Sequence, residues 1–219
     1  MLKKERRQHR VRMQSLLFAH GIDQKVCGNF EEVIDALRTW NGQPLPDQVR
    51  RRIRREYRRL QQTQAQMREV EQSRKDLLEN DPTAAMAKAK LMAELCGIGI
   101  GSAWVFAMEV FGWRKFANRR EVAAAAGLTP TPYQSGKSSV ELGISKIGNK
   151  RVRTLMVEIA WCWLRFQPDS KLSRWHHERF GEGGLRMRRV GIVALARRLL
   201  IALWRLVEDG VVPDGAKMA

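Results

Sequence analysis

The chain has 219 residues, 44% of them apolar and seven of them tryptophan, which is enough for a real core and argues against a disordered tail. Its 40 Lys and Arg against 23 Asp and Glu leave a formal charge of +17, the electrostatic signature of a protein whose partner carries a regular array of phosphates. No run approaches the ~18 apolar residues of a membrane span, the opening "MLKKERRQHRVR" lacks a signal-peptide core, and three scattered cysteines exclude a disulfide framework or zinc knuckle and fit a reducing cytoplasm.

The basic excess is not a tail: residues 1–90 carry 20 basic and 12 acidic residues, and 91–219 carry 20 and 11. Residues 2–19 read as a basic helix with Val11, Leu16, Leu17 and Phe18 apolar, closed by Gly21. A second helix, about 30–39, follows Asn29 as N-cap with Glu31 and Glu32 in its first turn. Gly42, Pro44 and Pro46 then break the chain.

From Asp47 to about Glu79 a long polar helix carries Val49, Ile53, Tyr57, Leu60, Met67, Val70 and Leu77 in a narrow stripe, which suggests a coiled-coil or hairpin arm capable of self-association. Its start, "RRRIRREYRR", sets seven arginines against the helix dipole. Phosphate contact by Arg51, Arg52 and Arg55 would explain that local cost, and a solvated face is the plain alternative.

After "NDPT" come a helix "AAMAKAKLMAELC", the turn "GIGIG" and a helix "SAWVFAMEVF". This order fits a helix-hairpin-helix-like element in which Gly97 and Gly99 aim backbone N–H groups at a phosphate, or a plain αα-corner with close packing. "NRREVAAAAGL" adds a short helix capped by Asn118. Beyond residue 150 lie helices at 150–166, at "PDSKLSRWHHERFG" and at 185–208, the last apolar enough to be a core helix. The tryptophans fall on these helices at core spacing, which favours packing over base stacking.

Between the last two blocks stands "TPTPYQSGKSSVELGISKIGNKRVR", residues 129–153, with neither helical nor strand periodicity. Ser135, Ser138 and Ser139 lie there among Lys137, Lys146, Lys150, Arg151 and Arg153, with glycines that permit close backbone approach. Charge and glycines by themselves argue for phosphate contact. A serine attacking a phosphodiester needs cationic neighbours to stabilise its transition state, but no histidine is near, and chemistry stays open. His176 and His177 are adjacent on a helix and point to different faces, so they do not make a metal site, and the carboxylates form no paired-acid motif.

"LCGIGIGSAWVFAMEV", "FANRREVAAAAGLTPTPYQSGKSSVELGISKIGNKRVR" and "VEIAWCWLRFQPDS" together resemble the C-terminal domain of the bacterial insertion-sequence transposases grouped as the 110/116/902 family. The resemblance continues to "GIVALARRLLIALWRLVEDGVVPDGA" and implies a DNA recombinase with a serine nucleophile. By motif that serine is Ser135, with Ser138 and Ser139 as fallbacks, while Lys146, Asn149, Lys150 and Arg151 hold the DNA backbone. Family members pair this domain with an N-terminal RuvC-like domain whose acidic residues bind a divalent metal, and some use an element-encoded guide RNA.

This chain begins after the region corresponding to that acidic domain, so the expectation is a shortened copy with no cofactor of its own, which binds DNA without recombining it unaided. The expected fold is mainly α: a helical, coiled-coil region at 1–84 and a compact helical transposase domain at 85–219 containing the hairpin-like element and the basic Gly/Ser loop. A non-catalytic helical nucleic-acid-binding protein is the competing reading.

Overall fold

In a computed structural model the structure describes residues 1–135 and 138–218, and for residues 132–135 and 138–142 the backbone alone. The chain is mainly α and divides into two units, Met1–Ser73 and Arg74–Ala219.

The first unit is built from α1 (Leu2–Phe18), the short α2 (Phe30–Val33) and most of α3 (Asp47–Asn80). Met13 and Leu17 of α1 meet Phe30 and Ile34 and the Ile53, Tyr57, Leu60 stripe of α3 in one buried cluster. The periodicity predicted a helix to residue 39, but α2 stops at Val33. The chain instead turns around Asn41 and Gly42, where the Thr39 N–H donates to the Gln43 carbonyl at 2.8 Å and Arg38 bridges to Pro44. Asp35, released from the helix, accepts from Arg50 and Arg54 of α3.

Glu56 is the buried charge of this unit. Its carboxylate accepts from His9 Nδ1 at 2.7 Å and lies 2.9 Å from Arg59 and 3.6 Å from Arg12. Burial alone would raise its pKa, but the His9 hydrogen bond and the His9, Arg12 and Arg59 charges outweigh it and hold the carboxyl below its ordinary value of 4.5. A carboxylate held down in the fold contributes stability that is complete above the unfolded pKa and is lost as pH falls through the folded one. Glu56→Gln is therefore expected to cost roughly 1–3 kcal/mol at neutral pH. In thermal melts across pH, its deficit against the native chain should shrink below about 4.5, the unfolded value.

The second unit contains the last turns of α3, α4 (Ala84–Ala93), α5 (Ile100–Phe106) running into a π-helical turn (Ala107–Phe111), α6 (Arg119–Ala125), strands β1 (Pro130–Ser135) and β2 (Ser138–Ile144), and helices α7 (Lys150–Phe166), α8 (Lys171–Phe180) and α9 (Leu185–Asp209). Ile192, Leu195, Ala196, Leu199, Leu200, Leu203 and Leu206 form one buried face of α9. That face packs with Phe106, Val122, Met156 and the fully buried Trp163 in a single core.

A strap formed by the last residues closes this unit. The buried Gln167 side chain donates to the carbonyls of Cys96 and Lys217 and accepts from the Lys217 N–H at 2.7 Å. Among the described residues no helix is long and apolar enough to cross a membrane.

The segment expected to be a basic loop is a two-stranded antiparallel hairpin. Tyr133 pairs with Val140, Gln134 with Ser139 and Ser135 with Ser138, and an irregularity falls between Pro130 and Pro132. Prolines donate no ladder hydrogen bond and hide the two-residue alternation, so the pairing is not visible in the composition.

Candidate nucleic-acid interface

What holds the hairpin is the end of α6. Asn118 caps that helix by accepting from the N–H groups of Arg120 and Glu121, while Glu121 reaches back to the Ala117 N–H at 3.0 Å, a reciprocal cap. Past the helix the chain leaves through Gly127 (φ 66) and returns from β2 through Lys146 (φ 56) and Gly148 (φ 128). The two passes touch directly. Lys146 N–H donates to the Gly127 carbonyl, Asn149 N–H to Ala125, and Ser145 N–H to Thr129. Arg153, half-buried, donates from one guanidinium nitrogen to the carbonyls of both Ala126 and Lys146. A non-glycine residue in left-handed backbone is a strained position held by its surroundings, here at the base of the hairpin.

This base opens onto a groove of about 1820 Å³ between α6, the hairpin ends, α8, α9 and the chain after α9. Among the described residues eleven cationic side chains line it, including Arg119, Arg120, Lys146, Arg174, Arg189 and Arg205, against two acids, Glu178 and Asp214. Of the cations only Lys171 has a carboxylate partner among the described residues, Asp214 at 3.3 Å. Helix α9 makes the longest wall. The 3.6-residue repeat that buries its leucines turns Arg186, Arg197, Arg198 and Arg205 away from them, interleaved with Val190, Val193, Ala194, Ile201 and Ala202, and Arg189 joins this wall from the exposed turns before the buried stretch begins. So many unpaired cations on one concave surface repel one another unless a polyanion lies among them.

The sequence profile of the IS116/IS110/IS902 transposase family matches residues 89–174, from α4 to the start of α8. A Sinorhizobium fredii protein named as the transposase y4rJ is 41% identical over 99% of this chain and 57% of its own length. The transposase of insertion sequence IS1328 from Yersinia enterocolitica is 30% identical over 67% of this chain and 42% of its own. That of IS1111A from Coxiella burnetii is 31% identical over 56% of the chain and 35% of its own. The chain belongs to the IS116/IS110/IS902 transposase family. It spans about half the length of these relatives.

Within the family match, the residues expected to meet DNA divide by what they already hold. Lys146 is exposed and lines the groove, and Lys150 is exposed at the first turn of α7 with no ion pair among the described residues. Asn149 caps α7, accepting from the N–H groups of Arg151 and Val152, and its amide donates to Glu109 at 2.7 Å. Arg151 pairs with the other oxygen of Glu109 at 2.8 Å, and Arg153 serves the clamp above. These three side chains therefore brace the hairpin base and the π-helical turn that carries Glu109. Ser135, Ser138 and Ser139 sit at the closed end of the hairpin by backbone register, and Lys137 lies outside the described residues.

Gly97 has φ 93 in the turn between α4 and α5, against Phe166, whereas a side chain at Gly99 would meet open space. Arg51, Arg52 and Arg55 are exposed on α3 in the first unit, without carboxylate partners among the described residues. Trp163 is core, while Trp161 on the same helix is 53% exposed.

Among the described residues no three His, Cys, Asp or Glu gather to hold an ion. His176 is buried with neither ring nitrogen hydrogen-bonded, and desolvation, aided by His177, lowers its pKa, so it is a neutral core residue. The groove arginines of α8 and α9 were not singled out by sequence reasoning, because "RRVGIVALARRLLIALWRLV" reads as a core helix on hydropathy. The available signal was the helical repeat of Arg186, Arg197 and Arg205, which fall on the side away from the leucines.

Proposed function

We propose that this chain is the DNA-handling part of an insertion-sequence transposase, in which the α8–α9 groove grips DNA backbone and the hairpin presents Ser135 to a phosphodiester. The observation that carries the reading is the groove itself, eleven cations against two acids, opening at the base of the hairpin. Lys146 and Lys150, exposed beside that base, would continue the track of phosphate contacts toward the serine. Asn149, Arg151 and Arg153 would act by keeping the hairpin in place.

Attack by the Ser135 hydroxyl on a backbone phosphorus would form a serine–phosphate ester. It would release one sugar hydroxyl, with the serine proton passing to a base and the cations stabilising the charged transition state. The names of the relatives, transposases of insertion sequences, support action on DNA, and the choice of Ser135 rests on the motif alone. Self-association along α3 belongs to the same proposal, supported by Val70 and Leu77 remaining 40% and 43% exposed on its stripe.

Ser135→Ala tests the chemistry apart from the binding. With labelled element-end DNA, the native chain is expected to give a denaturant-resistant protein–DNA adduct and the variant none, while both bind DNA within about twofold, since one hydroxyl adds little to a phosphate-dominated affinity. An adduct that survives in Ser135→Ala moves the role to Ser138 or Ser139. No adduct in either chain favours a binding protein without catalysis.

A further inference from the structure

Resting on the reading of the groove as a nucleic-acid interface, we infer that it accommodates an unpaired DNA strand in preference to a duplex. Its cations are not a ridge beside an apolar core. On α9 they alternate with Val190, Val193 and Ile201, and the chain after α9 adds Val211, Val212 and Pro213. Val190, Val211 and Val212 are 51%, 55% and 44% exposed, an apolar surface left to water in the middle of a phosphate-binding site. Duplex DNA keeps its base faces stacked and offers such a surface only backbone and groove edges. Bases freed from the stack would cover it.

The flat group such bases require is also present. The Arg198 guanidinium lies 3.7 Å from the centroid of the Trp175 ring, across from α9 to α8. Arg198 is exposed and has no carboxylate partner among the described residues. Its outer face is a planar cationic platform already held by the indole beneath it, the arrangement on which a base stacks while its phosphate meets Arg174, Arg197 or Arg205. At about 1820 Å³ the groove exceeds the roughly 300–1,000 Å³ that holds a small ligand, room for a stretch of strand rather than one nucleotide. An acidic amphipathic helix would satisfy the charges and the valines, but it makes no use of the stacked plane.

The test is fluorescence anisotropy on the full chain with one mixed-sequence oligonucleotide, about twenty nucleotides long, offered single-stranded and as its duplex at one salt concentration. Expected are at least about fivefold tighter binding of the single strand and, in Arg198→Ala, a loss of about tenfold on the single strand against a clearly smaller loss, about two- to threefold, on the duplex, which loses one cation but no stacking plane. Trp175→Phe, which keeps an apolar ring under the guanidinium and guards against a folding defect, should lose less than Arg198→Ala and only on the single strand. Equal affinities, a tighter duplex, or an equal loss on both substrates would overturn the inference while leaving the groove a nucleic-acid interface. Binding of neither substrate would overturn the interface itself, and this inference with it.

Discussion

Gly148→Ala is expected to be the most damaging single substitution for the fold of the hairpin base. A Cβ built at Gly148 would lie 2.6 Å from the Ala125 carbonyl oxygen, 2.8 Å from that of Ala124 and 2.8 Å from the Gly127 nitrogen. All three are backbone atoms at the end of α6 and cannot swing aside. The residue also sits at φ 128, where an L side chain is strained even in open space. Backbone strain of roughly 1–3 kcal/mol and an overpacking cost of similar size together predict a loss of about 3–5 kcal/mol.

The loss should be local as well as global. The segment 145–149 would lift from α6, breaking the donations of Lys146 to Gly127 and of Asn149 to Ala125. Asn149, displaced, would no longer cap α7. A denaturant melt gives the size of the effect, and hydrogen exchange at Lys146 and Asn149 gives its place. Gly99→Ala, where a Cβ meets open space, is the control expected to stay near native stability.

The second large effect is on binding. Arg189→Ala, Arg197→Ala and Arg205→Ala combined remove three cations spread along α9 without touching its buried leucine face. None of the three has a carboxylate partner among the described residues, so no acid is orphaned by their loss. Alanine also suits a helix interior, and the melting temperature should hold or rise as repulsion falls. Charge-assisted contacts contribute about 1.5–3 kcal/mol each when made. Screening and solvent exposure reduce that, and three together predict a loss of DNA affinity on the order of 10²-fold at moderate salt. Arg51→Ala, Arg52→Ala and Arg55→Ala, on the exposed side of α3 in the other unit, make the matched comparison for non-specific charge.

Where the sequence was legible, the reason is periodicity. The boundaries of α1, α3, α7 and α9 fall within a residue or two of those read from apolar spacing, and Asn118 caps α6 as expected from its place before "RREV". The mainly α class followed from those elements. The end of α2 was not legible, because Asp35 is drawn off by Arg50 and Arg54, fifteen and nineteen residues further on.

The hairpin was not legible either. Pro130, Pro132 and Gly143 obscure strand alternation, and what fixes the pairing is the docking of Gly127 against the 146–148 turn, a contact between residues about twenty apart. The charge of the interface was visible in the net +17. Sequence reasoning placed the DNA contacts on Arg51, Arg52 and Arg55, on Gly97 and Gly99, and on Lys137 and the 146–153 motif; in that motif Asn149, Arg151 and Arg153 spend polar groups on Glu109 and on backbone carbonyls, and the groove arginines of α8 and α9 were not named.

The central claim is that α9 arginines lie against a DNA backbone, and the salt dependence of binding tests it most directly. Log affinity against log salt concentration is measured for the native chain and for the Arg189, Arg197, Arg205 triple alanine variant on one duplex. If each arginine meets one phosphate, the slope of the variant is shallower by about 2.7, three contacts at roughly 0.9 each. A variant that binds with the native slope and native affinity would contradict the account and place the nucleic-acid interface elsewhere on the chain.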